Sequence, residues 1–150
     1  MTRDSLESGL TICGLLLFRN EMKRSSPQAI ADLKAGSVRS VICTGDNALT
    51  GISIGRQCGI VSVPRVLLLD MKCGKLVHID PDKEDDDGRA WSHSALGEDE
   101  VQRETQLAVS QAAWRHLLAS GTELEGIWAR IAVFARMKPE DKINVVKYLQ

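Results

Sequence analysis

Two short polar stretches of the sequence carry residue types that could bind a phosphate group. The first is Thr44-Gly45-Asp46-Asn47, which follows three apolar residues and precedes an amphipathic segment that ends at Cys58. This order predicts a buried strand, a tight turn and a helix that begins at Asp46 or Asn47. A hydroxyl, a glycine and a carboxylate at a helix N-terminus suit an anion site, because the first N–H groups of the helix lack partners. The same residues are equally typical of an ordinary turn in which Asp46 or Asn47 is only the N-cap.

The second stretch is Arg136 to Lys142, which again follows an apolar run. Pro139 suits the first turn of a helix, and the acidic residues Glu140 and Asp141 complement the positive end of its dipole. Lys142 is either a solvated surface lysine or a fixed positive charge beside the anion site at Thr44. Phosphoryl transfer needs such a charge, because its catalysis is mostly positioning and electrostatic neutralisation.

An alternation of strands and helices must position these two stretches, and it predicts an α/β layered fold. Continuous rather than alternating apolarity indicates strands that are buried on both faces. Ser26 is the expected N-cap of the first helix, Pro27 its first residue and Gly36 its end. The predicted strands are Leu10–Phe18, Val38–Cys43 and Ile131–Ala135, and the predicted helices are 26–36, Ala48–Cys58, Gln111–Ala119, Glu123–Ala129 and Pro139–Gln150.

The middle of the chain follows a different pattern. Val66–Asp70 and Lys75–Asp80 flank Gly74 and predict a β-hairpin. Pro81 to Gly88 is rich in acids and predicts a solvated loop that extends to about Glu100. The stretch from Glu100 to Ser110 is compatible with a strand or with the start of a helix.

Composition indicates one globular domain and excludes several functions. The 150 residues are 43% hydrophobic and 26% charged, with a formal net charge of −1. We therefore expect no nucleic-acid binding and no direct membrane contact, and no apolar run approaches the ~18 residues of a membrane span. The four cysteines are far apart and three lie in apolar runs, which predicts buried free thiols in a reducing compartment.

Taken together, the two polar stretches resemble the phosphorylation domain of P-type cation ATPases. Thr44-Gly45-Asp46-Asn47 and the later Ala135-Arg136-Met137-x-Pro139-x-x-Lys142 are similar to two motifs of that domain. The residues of these motifs are most similar to those of the type-five branch, the lysosomal and endosomal polyamine or cation pumps. Three further stretches are similar to that branch: Arg3-x-x-x-Glu7-x-x-Leu10, Gly14–Phe18 and Phe18-x-Asn20-x-Met22-Lys23. The resemblance covers roughly 1–61 and 105–150, with a variable insertion at about 62–104.

The resemblance implies a partial haloacid-dehalogenase-type Rossmann-like sheet with flanking helices and a β-hairpin or loop insertion. In that family an aspartate accepts the γ-phosphoryl group of ATP. Thr44 would hydrogen-bond a phosphoryl oxygen, Gly45 would allow close backbone approach, and Lys142 would balance the charge. Asp46 would lie on the nucleotide and hinge side of the cleft and Asn47 would cap the helix beside it, both among the residues expected to bind the cofactor. Lys23 would be the basic residue near the nucleotide-binding domain, although the family at large has Asp-Pro-x-Arg where this chain has Asn-Glu-Met-Lys.

The resemblance also implies that other parts of the site are elsewhere. The nucleophile motif Asp-Lys-Thr-Gly-Thr and the magnesium motif Gly-Asp-Gly-x-Asn-Asp do not occur in these 150 residues. We therefore expect ATP and Mg²⁺ to serve a parent protein, with neither bound tightly by this stretch, and we expect the isolated chain to show no ATPase activity. The expected partners are the remaining phosphorylation-domain strands and the nucleotide-binding and actuator domains.

Two expectations concern the surroundings of the domain. It would lie in the cytosol as part of an integral membrane protein, in an endomembrane or lysosomal-type compartment. Without the nucleophile strand, Val38–Cys43 would be an open sheet edge, which favours a homodimer or strand exchange.

Two other functions fit parts of the sequence. A stand-alone haloacid-dehalogenase-type phosphatase would need an N-terminal Asp-x-Asp at the end of the first strand, and the chain has only Asp4-Ser5-Leu6-Glu7 ahead of it. A non-catalytic flavodoxin-like interaction module would use Thr44–Asn47 as a mere turn and the acidic loop as a docking surface. The three histidines have no ligand spacing, and the acidic loop lacks the residue order of a calcium loop.

Overall fold

The computed structural model describes residues 7–17, 21–96 and 104–149. The six strands are β1 (Ile42–Cys43), β2 (Arg65–Lys72), β3 (Lys75–Ile79), β4 (Arg89–Ala90), β5 (Thr105–Ser110) and β6 (Ile131–Ala135). The helices are α1 (Ser26–Ala35), α2 (Ala48–Cys58), α3 (Gln111–Ser120), α4 (Thr122–Ile127) and α5 (Pro139–Leu149), with short 3₁₀ turns at His93–Leu96 and Trp128–Arg130.

All six strands belong to one sheet, in the order β1-β6-β5-β2-β3-β4. The strands β1, β6, β5 and β2 run parallel to one another. At the far end of the sheet, β3 is antiparallel to β2 and β4 is antiparallel to β3. Helices flank this mixed sheet, so the predicted α/β class is confirmed, and the architecture agrees with a partial Rossmann-like sheet. Because β1, β5 and β6 run parallel, the loops that follow them lie together at the carboxyl ends of the strands.

The core lies on both faces of the inner strands. All five residues of β6 are buried, as its uninterrupted apolar sequence predicts. On one face, Trp114 of α3 packs against Phe134 with ring centroids 5.3 Å apart. On the other face, α2 lies directly on β6, because a Cβ at Gly51 would come within 2.8 Å of Val133 Cγ1.

Several predicted elements are confirmed. The bounds of α2 and β6 agree with the prediction at both ends, and Gly59 ends α2 in the left-handed conformation with φ of 82°. The hairpin forms from β2 and β3, with its turn at Cys73-Gly74. The ambiguous stretch before Ser110 is a strand, β5, because it pairs with β2 and β6 on its two sides.

The prediction of a first strand at Leu10–Phe18 is wrong for the residues that the structure describes. Residues 10–17 form no strand, and Leu15 and Leu17 are 99% and 93% exposed; Phe18 lies outside the described residues. The continuous apolar run predicts a strand that is buried on both faces, but none of the described strands pairs with this segment. Without such a partner its backbone and side chains stay in contact with solvent.

Three smaller predictions are corrected. The strand at Val38–Cys43 is reduced to Ile42–Cys43. Ser25, not Ser26, is the N-cap of α1, and its side chain makes no capping bond. The loop predicted from Pro81 to Glu100 contains β4 and a 3₁₀ turn, because residues 89–90 pair with β3.

The prediction for the cysteines is correct in one respect and wrong in another. All four are free thiols. Only Cys58 is buried, however, and Cys43 is partly buried. Cys13 and Cys73 are exposed, because one lies in the unpaired segment and the other in the tip of the hairpin.

Candidate functional site

The turn after β1 contains the first candidate residues and is held in a compact form. Asn47 is the N-cap of α2, and its side-chain oxygen accepts a hydrogen bond from Thr50 N at 2.8 Å. Of the two candidate N-caps, Asn47 therefore takes this role, because an N-cap side chain pairs one of the N–H groups of the first helical turn. Asp46 is left exposed in the turn.

The turn after β6 contains the second candidate stretch and is hydrogen-bonded to the first. Met137 N donates to the carbonyl oxygen of Thr44 at 2.9 Å, and Arg136 N donates to the carbonyl oxygen of Asp46 at the same distance. Thr44 N in turn donates to Phe134 O at 2.9 Å, extending the pairing of β1 with β6. The structure thus brings the two polar stretches together, although about ninety residues separate them in sequence.

The Thr44 hydroxyl is engaged within its own turn. It donates to Asp46 Oδ2 at 2.8 Å and accepts from Asp46 N at 3.1 Å. Thr44 is partly buried, whereas Asp46 is exposed to solvent. A phosphoryl oxygen approaching this turn would therefore compete with the Asp46 carboxylate for the proton of the hydroxyl.

Gly45 has room for a side chain within the protein. A Cβ at this position would meet only the carbonyl oxygen of Met137, at 3.9 Å, which is ordinary contact. Its φ is not in the left-handed region either. Neither internal packing nor a left-handed backbone conformation requires glycine at this position.

Lys142 lies in the first turn of α5 and is exposed. Among the described residues, no carboxylate lies within ion-pair distance of its ammonium group. Its charge reaches the end of β1: burial raises the pKa of the Cys43 thiol, and the Lys142 ammonium opposes this increase. Lys142 therefore acts electrostatically on the residue next to Thr44.

Sequence reasoning missed the residues that hold the start of α5. Asp141 is 1% exposed, and its carboxylate accepts from Arg115 Nε at 2.8 Å and from Lys138 N at 3.2 Å. Gln111 donates a further hydrogen bond to the same carboxylate. These bonds, led by the one from Arg115, lower the pKa of Asp141. Arg115 and Gln111 lie 26 and 30 residues before Asp141, so no local spacing could have indicated the cluster.

Other candidates are not brought to this edge by any contact in the described part of the chain. Lys23 is exposed just before α1, and no hydrogen bond or ion pair joins it to the Thr44–Asn47 turn. The described residues contain no group of three or more His, Cys, Asp or Glu side chains that could hold a metal ion. They also contain no helix that is long and apolar enough to span a membrane.

Comparison with known proteins finds similarity over the whole chain. The chain is 30% identical over 167 residues to the vacuolar cation-transporting ATPase YPK9 of Saccharomyces cerevisiae, covering 100% of the chain and 11% of that protein. It is 31% identical over 170 residues to the probable cation-transporting ATPase 13A4 of Gallus gallus, and 29% identical over 168 residues to the polyamine-transporting ATPase 13A2 of Homo sapiens. Each of these two alignments covers 100% of the chain and 14% of the relative.

The chain thus spans 11% to 14% of the length of these curated relatives. No family model matches it.

Proposed function

From the premise that the chain is homologous over its whole length to P-type cation- and polyamine-transporting ATPases of the type-five branch, we propose that it contributes two elements of a phosphoryl-transfer site. The elements are the Thr44-Gly45-Asp46 turn and Lys142 in the first turn of α5. The parent protein would use ATP and Mg²⁺ to form and hydrolyse an aspartyl phosphate and so drive cation or polyamine transport. This domain would lie in the cytosol, in a protein of an endomembrane or lysosomal-type compartment.

The direct hydrogen bonding between the two turns supports this proposal. Met137 N and Arg136 N donate to the carbonyl oxygens of Thr44 and Asp46, which joins the turn that leads into α5 to the backbone of the Thr44 turn. The carboxyl edge of parallel strands is where α/β sheets bind ligands. Phosphoryl transfer depends on donors and positive charge that are positioned in advance, so a rigid link between the two turns suits the chemistry.

Each residue has a definite task in this site. The Thr44 hydroxyl turns from Asp46 Oδ2 to a phosphoryl oxygen and donates its proton there. Gly45 lets the phosphoryl group approach the backbone, and the unpaired ammonium of Lys142 offsets the negative charge. Asp46 and Asn47 keep the turn and the start of α2 in place, and Lys23 would act towards the nucleotide-binding domain. The family's Mg²⁺ finds no fitting ligand set among the described residues, so no step is derived through it.

Titration with inorganic phosphate or vanadate tests the site in the 150-residue chain. NMR signals of the Thr44 amide and of the Lys142 side chain should shift together along one binding curve. Thr44→Val removes the hydroxyl and Lys142→Ala removes the charge, and each should weaken binding about tenfold, the loss of one hydrogen bond to a charged group. Lys147→Ala is the matched control, because Lys147 is an exposed lysine near the end of the same helix.

The possible results separate the competing functions. Joint movement of both signals that is lost in the two site variants supports the phosphate site. No movement of either signal, with the fold intact, contradicts it and favours a non-catalytic module. Magnesium-dependent ATP hydrolysis by the isolated chain that disappears in Lys142→Ala would refute our expectation that this stretch is inactive alone.

We further infer that the outer edge of β1 is where a partner strand adds. β1 is the last strand at its end of the sheet and pairs only with β6 among the described strands. Thr44 N points inward to Phe134 O, so the alternation of a strand directs the Cys43 N–H outward. In the parent this edge would pair with another strand of the phosphorylation domain, and in the isolated chain it would favour a homodimer or strand exchange.

A concentration series in sedimentation velocity tests this edge. We expect a dimer that is weakened by Cys43→Pro, which removes the outward N–H, and retained by Cys43→Ala, which keeps it. A monodisperse monomer at every concentration of the series would contradict the inference.

A further inference from the structure

Asp141, which precedes Lys142, is one of the most enclosed polar residues of the molecule. Only Asp141 and Thr105 are buried polar or charged residues in the described part of the chain. A carboxylate that leaves water loses hydration energy and must be paired and hydrogen-bonded to compensate. Its neighbours in the first turn of α5, Glu140 and Lys142, are exposed. Burial of this one acid in a solvent-facing turn therefore needs a specific reason.

The carboxylate joins three separate parts of the site. Both of its oxygens bind Arg115, through Nε to Oδ1 at 2.8 Å and through Nη2 to Oδ2 at 3.2 Å. Gln111 binds Oδ2 from the first turn of α3. Lys138 N, just before α5, donates to Oδ2 at 3.2 Å. Asp141 thus ties the start of α5 to α3 and to the turn that is hydrogen-bonded to Thr44.

The position of Asp141 in the helix explains why this matters for Lys142. Asp141 is the third residue of α5, and its bond to Lys138 N is the half of a capping box that an N3 side chain supplies. Successive residues of an α-helix point about 100° apart. Anchoring Asp141 inward against α3 therefore fixes the rotation of the first turn and with it the direction in which Lys142 leaves the helix.

The cluster also keeps the charge of Lys142 available. Arg115 and Gln111 occupy the oxygens of Asp141, and Arg115 Nη2 also binds Glu140 Oε1 at 2.6 Å. Both acids of the turn are thereby engaged by α3. Their pairing with Arg115 leaves the Lys142 ammonium without an ion-pair partner among the described carboxylates. A free ammonium is what an incoming phosphoryl group requires.

We propose that Asp141 is a positioning residue that, together with Arg115 and Gln111, holds Lys142 in the orientation needed for phosphate binding at the Thr44 turn. This inference rests on the proposed phosphate site and adds a residue that acts only through Lys142. It makes an unusual prediction, because removing a carboxylate beside an anion site would normally tighten anion binding. Removal of Asp141 should weaken it instead.

The test is a phosphate titration of the full 150-residue chain followed by NMR. In Asp141→Ala we expect the Kd for inorganic phosphate to rise about tenfold, the loss of one charge-assisted contact, and the phosphate-induced shift of the Lys142 side chain to vanish. The Thr44 amide should still respond at high phosphate. Glu140→Ala is the matched control: it removes an acid of the same turn that does not bind Lys138 N, and binding should be unchanged or tighter.

A second variant approaches the cluster from α3. Arg115→Met should reproduce the loss of the Lys142 response. It is the second variant to use if Asp141→Ala does not fold, because the Arg115 side chain is 49% exposed and Asp141 keeps its hydrogen bonds from Gln111 and Lys138 N when Arg115 is replaced. Unchanged or tighter phosphate binding in a folded Asp141→Ala or Arg115→Met chain overturns the inference while leaving the phosphate site intact. A wild-type chain in which phosphate moves neither signal refutes the site itself and the inference with it.

Discussion

Two apolar runs of similar sequence differ completely in their solvent exposure. Val66–Leu69 in β2 is almost completely buried, with Val66, Leu67 and Leu69 at 0% exposure. Leu15–Leu17 is at least 80% exposed and belongs to no strand. The difference lies in pairing: β2 has β5 on one side and β3 on the other, whereas no described strand pairs with residues 10–17. An apolar run thus indicates that a strand would be buried if it formed. Whether the strand forms depends on the neighbouring strands with which it can pair.

The comparison extends to the candidate site. The two turns of the proposed site follow β6, which is paired along its whole length, and β1, which has only two paired residues. The turn after β6 starts from a fully buried strand, whereas the turn after β1 follows only two paired residues. We therefore expect substitutions in the inner strands to affect stability and substitutions at the edge to affect binding and association.

The largest expected effect is the difference in stability between a buried inner strand, β6, and the exposed run Leu15–Leu17. Phe134→Ala removes a fully buried ring that contacts Trp114 and Trp128, and it should lower the free energy of unfolding by about 3–5 kcal/mol. Leu15→Ala should change it by less than about 0.5 kcal/mol, because an exposed side chain has no packing to lose. Urea denaturation of both variants gives the two values. A comparable loss in Leu15→Ala would mean that the segment packs in solution.

A pair of glycines gives the next contrast. Gly51→Ala places a Cβ 2.8 Å from Val133 Cγ1, in a fully buried strand where a β-branched side chain has little freedom to move. Overpacking costs about 1–3 kcal/mol and the better helix propensity of alanine returns about 1 kcal/mol, so we expect a net destabilisation of about 0–2 kcal/mol.

Gly45→Ala should leave stability nearly unchanged, because its Cβ meets only ordinary contact. It should instead weaken phosphate binding at the turn. Thermal unfolding and phosphate titration of both variants would show the opposite pattern if Gly45 were a structural glycine and Gly51 were not.

These contrasts also show how far the sequence determines the fold and the site. The bounds of α2 and β6 were predictable, because an N-cap at Asn47, a C-terminal Gly59 and an uninterrupted apolar strand are local signals. The exposure of residues 10–17 was not, because it depends on strand pairing. The contacts of Asp141 with α3 were equally hidden, since they join residues that only the folded sheet brings together.

The stability of the chain in acid should depend on Asp141. Its pKa is lowered in the folded state, chiefly by the hydrogen bonds from Arg115. A carboxyl group whose folded pKa lies below its unfolded value stabilises the fold above the unfolded value, near 3.8, and this contribution is lost as the pH falls through the folded pKa.

Wild-type stability should therefore decline as the pH falls below about 3.8, the unfolded value, and Asp141→Asn should flatten part of that decline. Urea midpoints measured across this range test the prediction. If the urea midpoints of both proteins fell equally with decreasing pH, Asp141 would not contribute to the loss of stability in acid.

The smallest expected effect concerns the contact between α2 and the acidic loop. Arg56 donates to Asp82 from both terminal guanidinium nitrogens, from Nη1 at 2.9 Å and from Nη2 at 2.5 Å, and this hydrogen bonding lowers the pKa of Asp82. The two side chains are 38% and 49% exposed, so solvent screens the pair and a double-mutant cycle of Arg56→Gln with Asp82→Asn should give a coupling of only about 0.2–1 kcal/mol.

A coupling of this size means that the loop rests on α2 without stabilising it much. The helix that follows the Thr44 turn would then keep its position when the loop is altered, because α2 is held by its packing on β6. A coupling above about 2 kcal/mol would be typical of a desolvated pair. The acidic loop would then stabilise α2 and the turn that precedes it. The contrast between well-packed inner strands and a weakly supported β1 end of the sheet would no longer hold.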